Sequence, residues 1–166
     1  NGVCDGNRTE LLNLPGSAYV KITEGCNNHC SFCAIPLIRG ELRSRSVKKI
    51  IAEIQTLLDK GIFEINLIGQ DLASYGKGKN EPSEVLADFN SESSPLATLL
   101  SEITKLTGEF WIRLLYIHPD NFPQDILPII ATDNRLLPYF DIPFQSGDDK
   151  IIKDMNRKEK KKKYIQ

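Results

Sequence analysis

The chain reads as an α/β protein built on a parallel sheet, and three observations carry that reading. Short apolar runs rich in β-branched or aromatic residues recur at 18–22, 62–68, 110–116 and 139–144. Segments with helical spacing separate them. The resulting βαβαβαβα order is that of parallel neighbours, because a parallel pair needs a crossover and a helix supplies it.

Each element has its own signal. The first strand, Ala18-Tyr19-Val20-Lys21-Ile22, runs directly into a cysteine-rich loop. In the helix that follows, Ile50, Ile51, Ile54, Leu57 and Leu58 share one face, with Ser46 placed as N-cap and Gly61 as a C-terminal stop. The second strand, Ile62 to Ile68, leads to a segment from Lys77 to Ser94 made of Gly, Asn, Pro, Ser and acids. Its few apolar anchors predict a disordered insertion. Weaker helical patterns cover about 95–107, ending at Gly108, then about 124–132, and finally Asp148 toward Met155. Right-handed crossovers should set the strands side by side in chain order, with 18–22 beside 62–68. The expected organisation is a linker over 1–17, a core over 18–157 and a basic tail over 158–166.

Composition narrows the class. With 166 residues and 40% apolar content the chain is one ordinary globular domain. No apolar stretch approaches the roughly 20 residues of a membrane span. The start, Asn1 to Gly6, lacks the basic region and apolar core of a secretory leader, and clustered thiols without a leader fit a reducing compartment. The expectation is a cytoplasmic protein with no membrane partner. Net charge is only −1 but uneven: residues 61–109 hold eight acids against three bases, and 148–166 hold eight bases against four acids. That balance argues against binding driven by phosphate attraction. The lysine run from Lys158 to Lys163 reads as a solvated charge run, with RNA contact as its alternative.

Chemistry concentrates in Cys26-Asn27-Asn28-His29-Cys30-Ser31-Phe32-Cys33, a CxxxCxxC triplet. Three thiols this close point to one metal centre. Thiolates are the usual ligands of iron–sulfur clusters, and three of them on a four-iron cluster leave one iron open. Gly25 helps the loop to turn. Zinc is the competing metal, but its structural sites are closed by four ligands. His29 adjoins Cys30 awkwardly, and Cys4 lies far upstream. A disulfide would leave one thiol of the three unpaired.

The CxxxCxxC triplet with Phe32 before its third cysteine resembles the signature of the radical S-adenosylmethionine (SAM) superfamily. Gly25-Cys26-Asn27, Ile35-Pro36, Arg39-Gly40, Ser44-Arg45, Gly69-Gln70-Asp71 and Tyr75-Gly76 resemble its methylthiotransferase branch. Trp111 to Tyr116 and Pro138 to Gln145 are similar to the RimO family, which modifies an aspartate of a ribosomal protein. The resemblance runs from about Tyr19 to Arg157. It implies a partial, open (βα) barrel of six units, of which this chain would hold about four. It also implies that the C-terminal units, a C-terminal RNA-binding-like domain and an N-terminal domain with a second 4Fe-4S cluster are missing, leaving an incomplete fragment whose activity as given is in doubt.

The implied cofactors are a 4Fe-4S cluster held by Cys26, Cys30 and Cys33, and SAM chelated to the open iron and cleaved by an electron from an external donor. The motifs fall at the carboxyl ends of the strands, where parallel α/β folds place their sites. Phe32 is a candidate neighbour of the adenine, against plain burial of an aromatic. Gln70 and Asp71 are candidate polar contacts, against capping of the next turn, and Gln145 is a similar case. Arg113 sits inside a strand run and needs a partner. It either meets a carboxylate in the barrel mouth or snorkels outward. Arg39, Arg43 and Arg45 form a basic cluster, read either as a solvated helix edge or as groups facing an anionic ligand. His118, before Pro119, reads as a hydrogen-bonded structural residue. No catalytic acid or base stands out.

Three functions follow. The first is a radical SAM methylthiotransferase that transfers a methylthio group to an aspartate of the twelfth small-subunit ribosomal protein. The second is the sister enzyme acting on a tRNA adenosine, which Gln145-Ser146-Gly147 and Met155-Asn156-Arg157 resemble. Asp71 stands where that branch has asparagine, which favours the protein substrate. The third is a non-catalytic zinc-binding module.

Overall fold

The four apolar runs pair as one parallel sheet in chain order in the computed structural model of the protein, which describes residues 14–158. In chain order the strands are β1 (Ser17–Lys21), β2 (Thr23–Glu24), β3 (Arg43–Ser44), β4 (Glu64–Ile68), β5 (Trp111–Leu114) and β6 (Leu136–Phe140). The helices are α1 (Ile35–Arg39), α2 (Val47–Asp59), α3 (Ser83–Leu86), α4 (Pro95–Thr104), α5 (Ile126–Thr132) and α6 (Asp149–Asp154). The main sheet runs β1-β4-β5-β6, with Ala18 beside Ile65 and Ile65 beside Ile112. Cys4 and the lysines at 160–163 lie outside the described residues.

Alternation along the strands sets the layers. Ala18 and Val20 are buried while Tyr19 between them is exposed, and Ile112 and Leu114 are buried while Trp111 is exposed. The buried set meets Ile50, Ile54 and Leu57 of α2, Leu99, Leu100 and Ile103 of α4, and Ile126 of α5. Each such side chain contributes roughly 1.5–3 kcal/mol through burial. The opposite face of the sheet carries Tyr19, Trp111 and Tyr139, which are half exposed.

The helix after the first strand spans Val47–Asp59 with the expected buried face, and Gly61 follows it at φ +81°. Ser46 holds the N-cap position, but its side chain makes no capping bond. The cap comes from Asp88, whose Oδ2 accepts from Val47 N at 2.8 Å. Asp88 belongs to the segment expected to be a disordered insertion, and that expectation is corrected. Residues 77–94 are ordered, with α3 inside them and Val85 1% exposed. Polar anchors do what apolar ones were expected to do. Glu81 accepts from Ser44 N at 2.8 Å, Ser44 Oγ at 2.6 Å and Gly78 N at 3.0 Å. Phe89 packs edge-on against the buried ring of Tyr75, with centroids 5.6 Å apart.

Two further differences concern strands. The fourth strand spans Leu136–Phe140 instead of 139–144. Ile112 N donates to Arg135 O at 2.7 Å, so pairing begins early. Beyond Phe140 the chain turns away, with Phe144 N bonded to Ile142 O at 3.0 Å. Pro143 has no N–H for a ladder, and Pro138 is tolerated because β6 ends the strand order. The sequence also did not announce the antiparallel pair of β2 and β3, where Thr23 faces Ser44. This pair closes the base of the cysteine loop. Among the described residues no helix is long and apolar enough to cross a membrane.

Candidate metal and cofactor site

Gly25 turns the chain out of β2 at φ +75°, and Cys26 N then donates to Gly40 O at 3.2 Å. A Cβ at Gly25 would strike the Glu41 carbonyl oxygen and come within 2.6 Å of that of Gly40. The next two residues fasten the loop. Asn27 Oδ1 accepts from Leu42 N at 3.0 Å, and Asn28 Nδ2 donates to Asp71 Oδ2 at 2.8 Å. From the other side, Ser31 N donates to Met155 O at 3.1 Å, Ser31 Oγ to Asp154 O at 2.8 Å, and Asn156 Nδ2 to His29 O at 2.6 Å. A loop of this kind has no ladder of its own, so partners from β3, the end of β4 and the end of α6 fix its path.

The three thiols line one cavity of about 120 Å³. Asn28 and Phe32 from the loop, Ile35 at the start of α1, Gln70 after β4, Tyr116 and His118 after β5, Pro143 after β6 and Arg157 after α6 complete its wall. All four strand ends of the main sheet therefore contribute, as expected for a parallel sheet.

Burial shapes its electrostatics. It pushes the Cys26 thiol above the ordinary thiol range, with Asp71 and Cys30 adding and the backbone N–H of Asn28 opposing. Burial also holds His118 below the ordinary histidine range, helped by the Arg157 guanidinium and opposed by Asp71 and Asp120. Gln70 Oε1 and Arg157 Nε are buried without a hydrogen-bond partner. Arg157 is 9% exposed, and its Nη1 donates only to the Pro143 carbonyl at 2.7 Å. Among the described residues it makes no ion pair with a carboxylate, so the cavity wall presents a positive charge.

Of the residues singled out by sequence, Cys26, Cys30, Cys33, Phe32 and Gln70 line this cavity. Three others do not. Asp71 is 1% exposed and caps the following turn through Ala73 N, its carboxylate also accepting from His118 N at 3.1 Å. Arg113 Nε meets Glu64 at 3.1 Å, toward the amino end of β4, and its guanidinium lies over the Tyr139 ring. Gln145 is exposed in a turn at φ +70°. In the basic cluster, Arg39 pairs with Glu24 at 2.9 Å, and Arg45 is buried against Glu53 at 2.6 Å. Arg45 is therefore not a solvated arginine, whereas Arg39 stays exposed at the end of α1.

Tyr116, His118, Pro143 and Arg157 were not foreseen as wall residues. Tyr116 adopts φ +68°, a conformation costly for an aromatic residue and concentrated at functional sites. The one available signal was the position of His118 and Tyr116 at a strand end. Met155-Asn156-Arg157 stands out only for its resemblance to the tRNA branch, and Arg157 reaches the cavity through the docking of α6.

The donor set suits a thiolate-bound cluster. The three cysteines are free thiols.

A model of the radical SAM superfamily matches residues 20–166. The chain belongs to the radical SAM superfamily. Within it, the chain is 61% identical over 157 residues to the ribosomal protein uS12 methylthiotransferase RimO of Treponema denticola, covering 94% of this chain and 33% of that protein. It is 47% identical over 148 residues to the RimO of Syntrophomonas wolfei, covering 89% and 31%. The RimO of Aquifex aeolicus gives 43% over 148 residues, covering 89% and 32%. The chain thus spans about a third of the length of these curated relatives. Among solved structures, the radical SAM methyltransferase TsrM of Kitasatospora setae, with tryptophan and a SAM analogue bound, superposes with a TM-score of 0.61 at 14% identity. That match covers 90% of this chain and 27% of TsrM, and it shows the shared radical SAM fold.

Proposed function

We propose that this chain is the radical SAM core of a methylthiotransferase that modifies an aspartate of ribosomal protein uS12, with a 4Fe-4S cluster and SAM as cofactors. The observation that carries the proposal is the 61% identity to a RimO protein over a segment whose three thiols line one cavity. When bound, such a cluster supplies the electron that cleaves the carbon–sulfur bond of SAM. The chain's residues bind, orient and shield. Cys26, Cys30 and Cys33 are the ligands of the cluster. Gln70 Oε1 is an acceptor suited to an ammonium group and Arg157 Nε a donor suited to a carboxylate, the two charged groups at one end of SAM. Phe32 offers a half-exposed aromatic face to the adenine.

The relatives named above are all named for the ribosomal protein, which supports a protein substrate over a tRNA. A low-potential electron donor completes the system. The test is anaerobic reconstitution of the full-length protein with SAM, a sulfur source and reductant, followed by mass spectrometry of ribosomal proteins and of tRNA nucleosides. A methylthio group on uS12 is the expected result. Modification of tRNA alone, or of neither substrate, overturns the reading.

A further inference from the structure

Opposite the cysteine loop, His118 is 8% exposed, and its Nε2 lies 3.9 Å from Cys30 Sγ. Two contacts hold the ring there. Its backbone N–H donates to Asp71 Oδ1 at 3.1 Å, and its Nδ1 accepts from Asp120 N at 3.3 Å, capping the short 3-10 turn Pro119–Asn121. An imidazole nitrogen that accepts from a backbone amide carries no proton, so the proton of the neutral ring sits on Nε2. That nitrogen is the one facing sulfur.

We infer that His118 is a positioning residue that donates its Nε2–H to the Cys30 thiolate and thereby raises the reduction potential of the cluster held there. This rests on the assignment of Cys30 as a cluster ligand. Hydrogen bonds to the sulfurs are among the levers that set iron–sulfur potentials. The direction follows from charge, because one-electron reduction adds negative charge at the thiolates and a donor stabilises the more negative state more strongly. The turn built on Pro119 gives the ring its fixed aim, and Asp71 ties the same backbone to the cysteine loop through Asn28.

Two substitutions separate the donor from the cap. In His118→Asn the amide oxygen can still accept from Asp120 N, but the side chain is too short to reach Cys30. In His118→Gln an N–H is carried about as far as Nε2. The full-length protein and both variants are reconstituted anaerobically with iron and sulfide, then titrated with a one-electron reductant under EPR detection. The Asn variant should shift the reduction equilibrium by about tenfold toward the oxidised state, which for one electron is about 59 mV. The Gln variant should stay near the parent. An unchanged potential in the Asn variant, or an equal shift in both variants, overturns the inference. If either variant loses its cluster, nitrogen NMR of the parent's imidazole decides: a proton on Nε2 supports the inference and a proton on Nδ1 refutes it. A parent protein that takes up no four-iron cluster refutes the proposed function together with this inference. A loaded parent with an unmoved Asn variant refutes this inference alone.

Discussion

Asn28 Nδ2 donates a 2.8 Å hydrogen bond to Asp71 Oδ2, joining the stretch between the first two cysteines to the end of β4. The other Asp71 oxygen accepts from Ala73 N at 3.0 Å and His118 N at 3.1 Å, so one buried carboxylate sets the relative position of three parts of the wall. Asp71→Asn places an NH2 group among donors. It should lower stability by about 2–4 kcal/mol, read as a reduced urea midpoint. A role confined to substrate choice would instead leave the midpoint unchanged and alter only the methylthio count on uS12.

Cys30→Ala removes one of the three thiols lining the cavity. Reconstitution with iron and sulfide should then give no stable cluster, whereas the parent gives one four-iron cluster per triplet. Iron and sulfide analysis with visible absorption checks this. A triple alanine variant that retains the parent's iron content and spectrum would falsify the ligand assignment.

Gly25→Ala and Gly40→Ala form a matched pair. Both positions have positive φ, +75° and +76°, but a Cβ at Gly40 meets nothing within 4 Å while one at Gly25 meets carbonyl oxygens. Gly40→Ala should cost about 1–3 kcal/mol from backbone conformation alone, because φ +76° with ψ −160° is a region essentially reserved for glycine. Gly25→Ala should cost on the order of 2 kcal/mol more and loosen the cysteine loop. Denaturant melts of the two variants give the difference, and equal losses would show that the clash relaxes freely.

Stability should also fall in acid through Asp133. Its hydrogen bonds from Arg135 hold the carboxyl below the ordinary aspartate value, with burial opposing. The folded value lies below the unfolded one, so this contribution is complete above about pH 4 and is lost as pH falls through the folded value. Asp133→Asn should cost on the order of 1 kcal/mol at neutral pH and flatten the acid limb of the profile. An unaltered acid limb would show that the pair does not couple to folding.

Strand order, the main helices and the thiol cavity were legible because their signals are local. Ile50, Ile54 and Leu57 declare a helix face by spacing, and Cys26, Cys30 and Cys33 are close in sequence. What escaped depends on long-range polar contacts, to which hydrophobic periodicity is blind. Glu81 and Asp88 look like solvated acids in a loop, yet they terminate donors of β3 and α2 some forty residues away, with separations of 37 and 41. Arg157 escaped for the same reason, and Arg113 was placed at a strand but not at the correct end of it.

The hydrogen bond from Asn156 to the His29 carbonyl spans 127 residues of chain. At typical translation rates of about 5–20 residues per second, roughly 6–25 s separate synthesis of those two residues. Until then Ser31, His29 and the thiols beside them lack one of their three anchors. Newly made cysteines at 26, 30 and 33 are therefore held less firmly than in the finished protein, and a metal-delivery step that requires the final loop shape must wait for α6 to arrive.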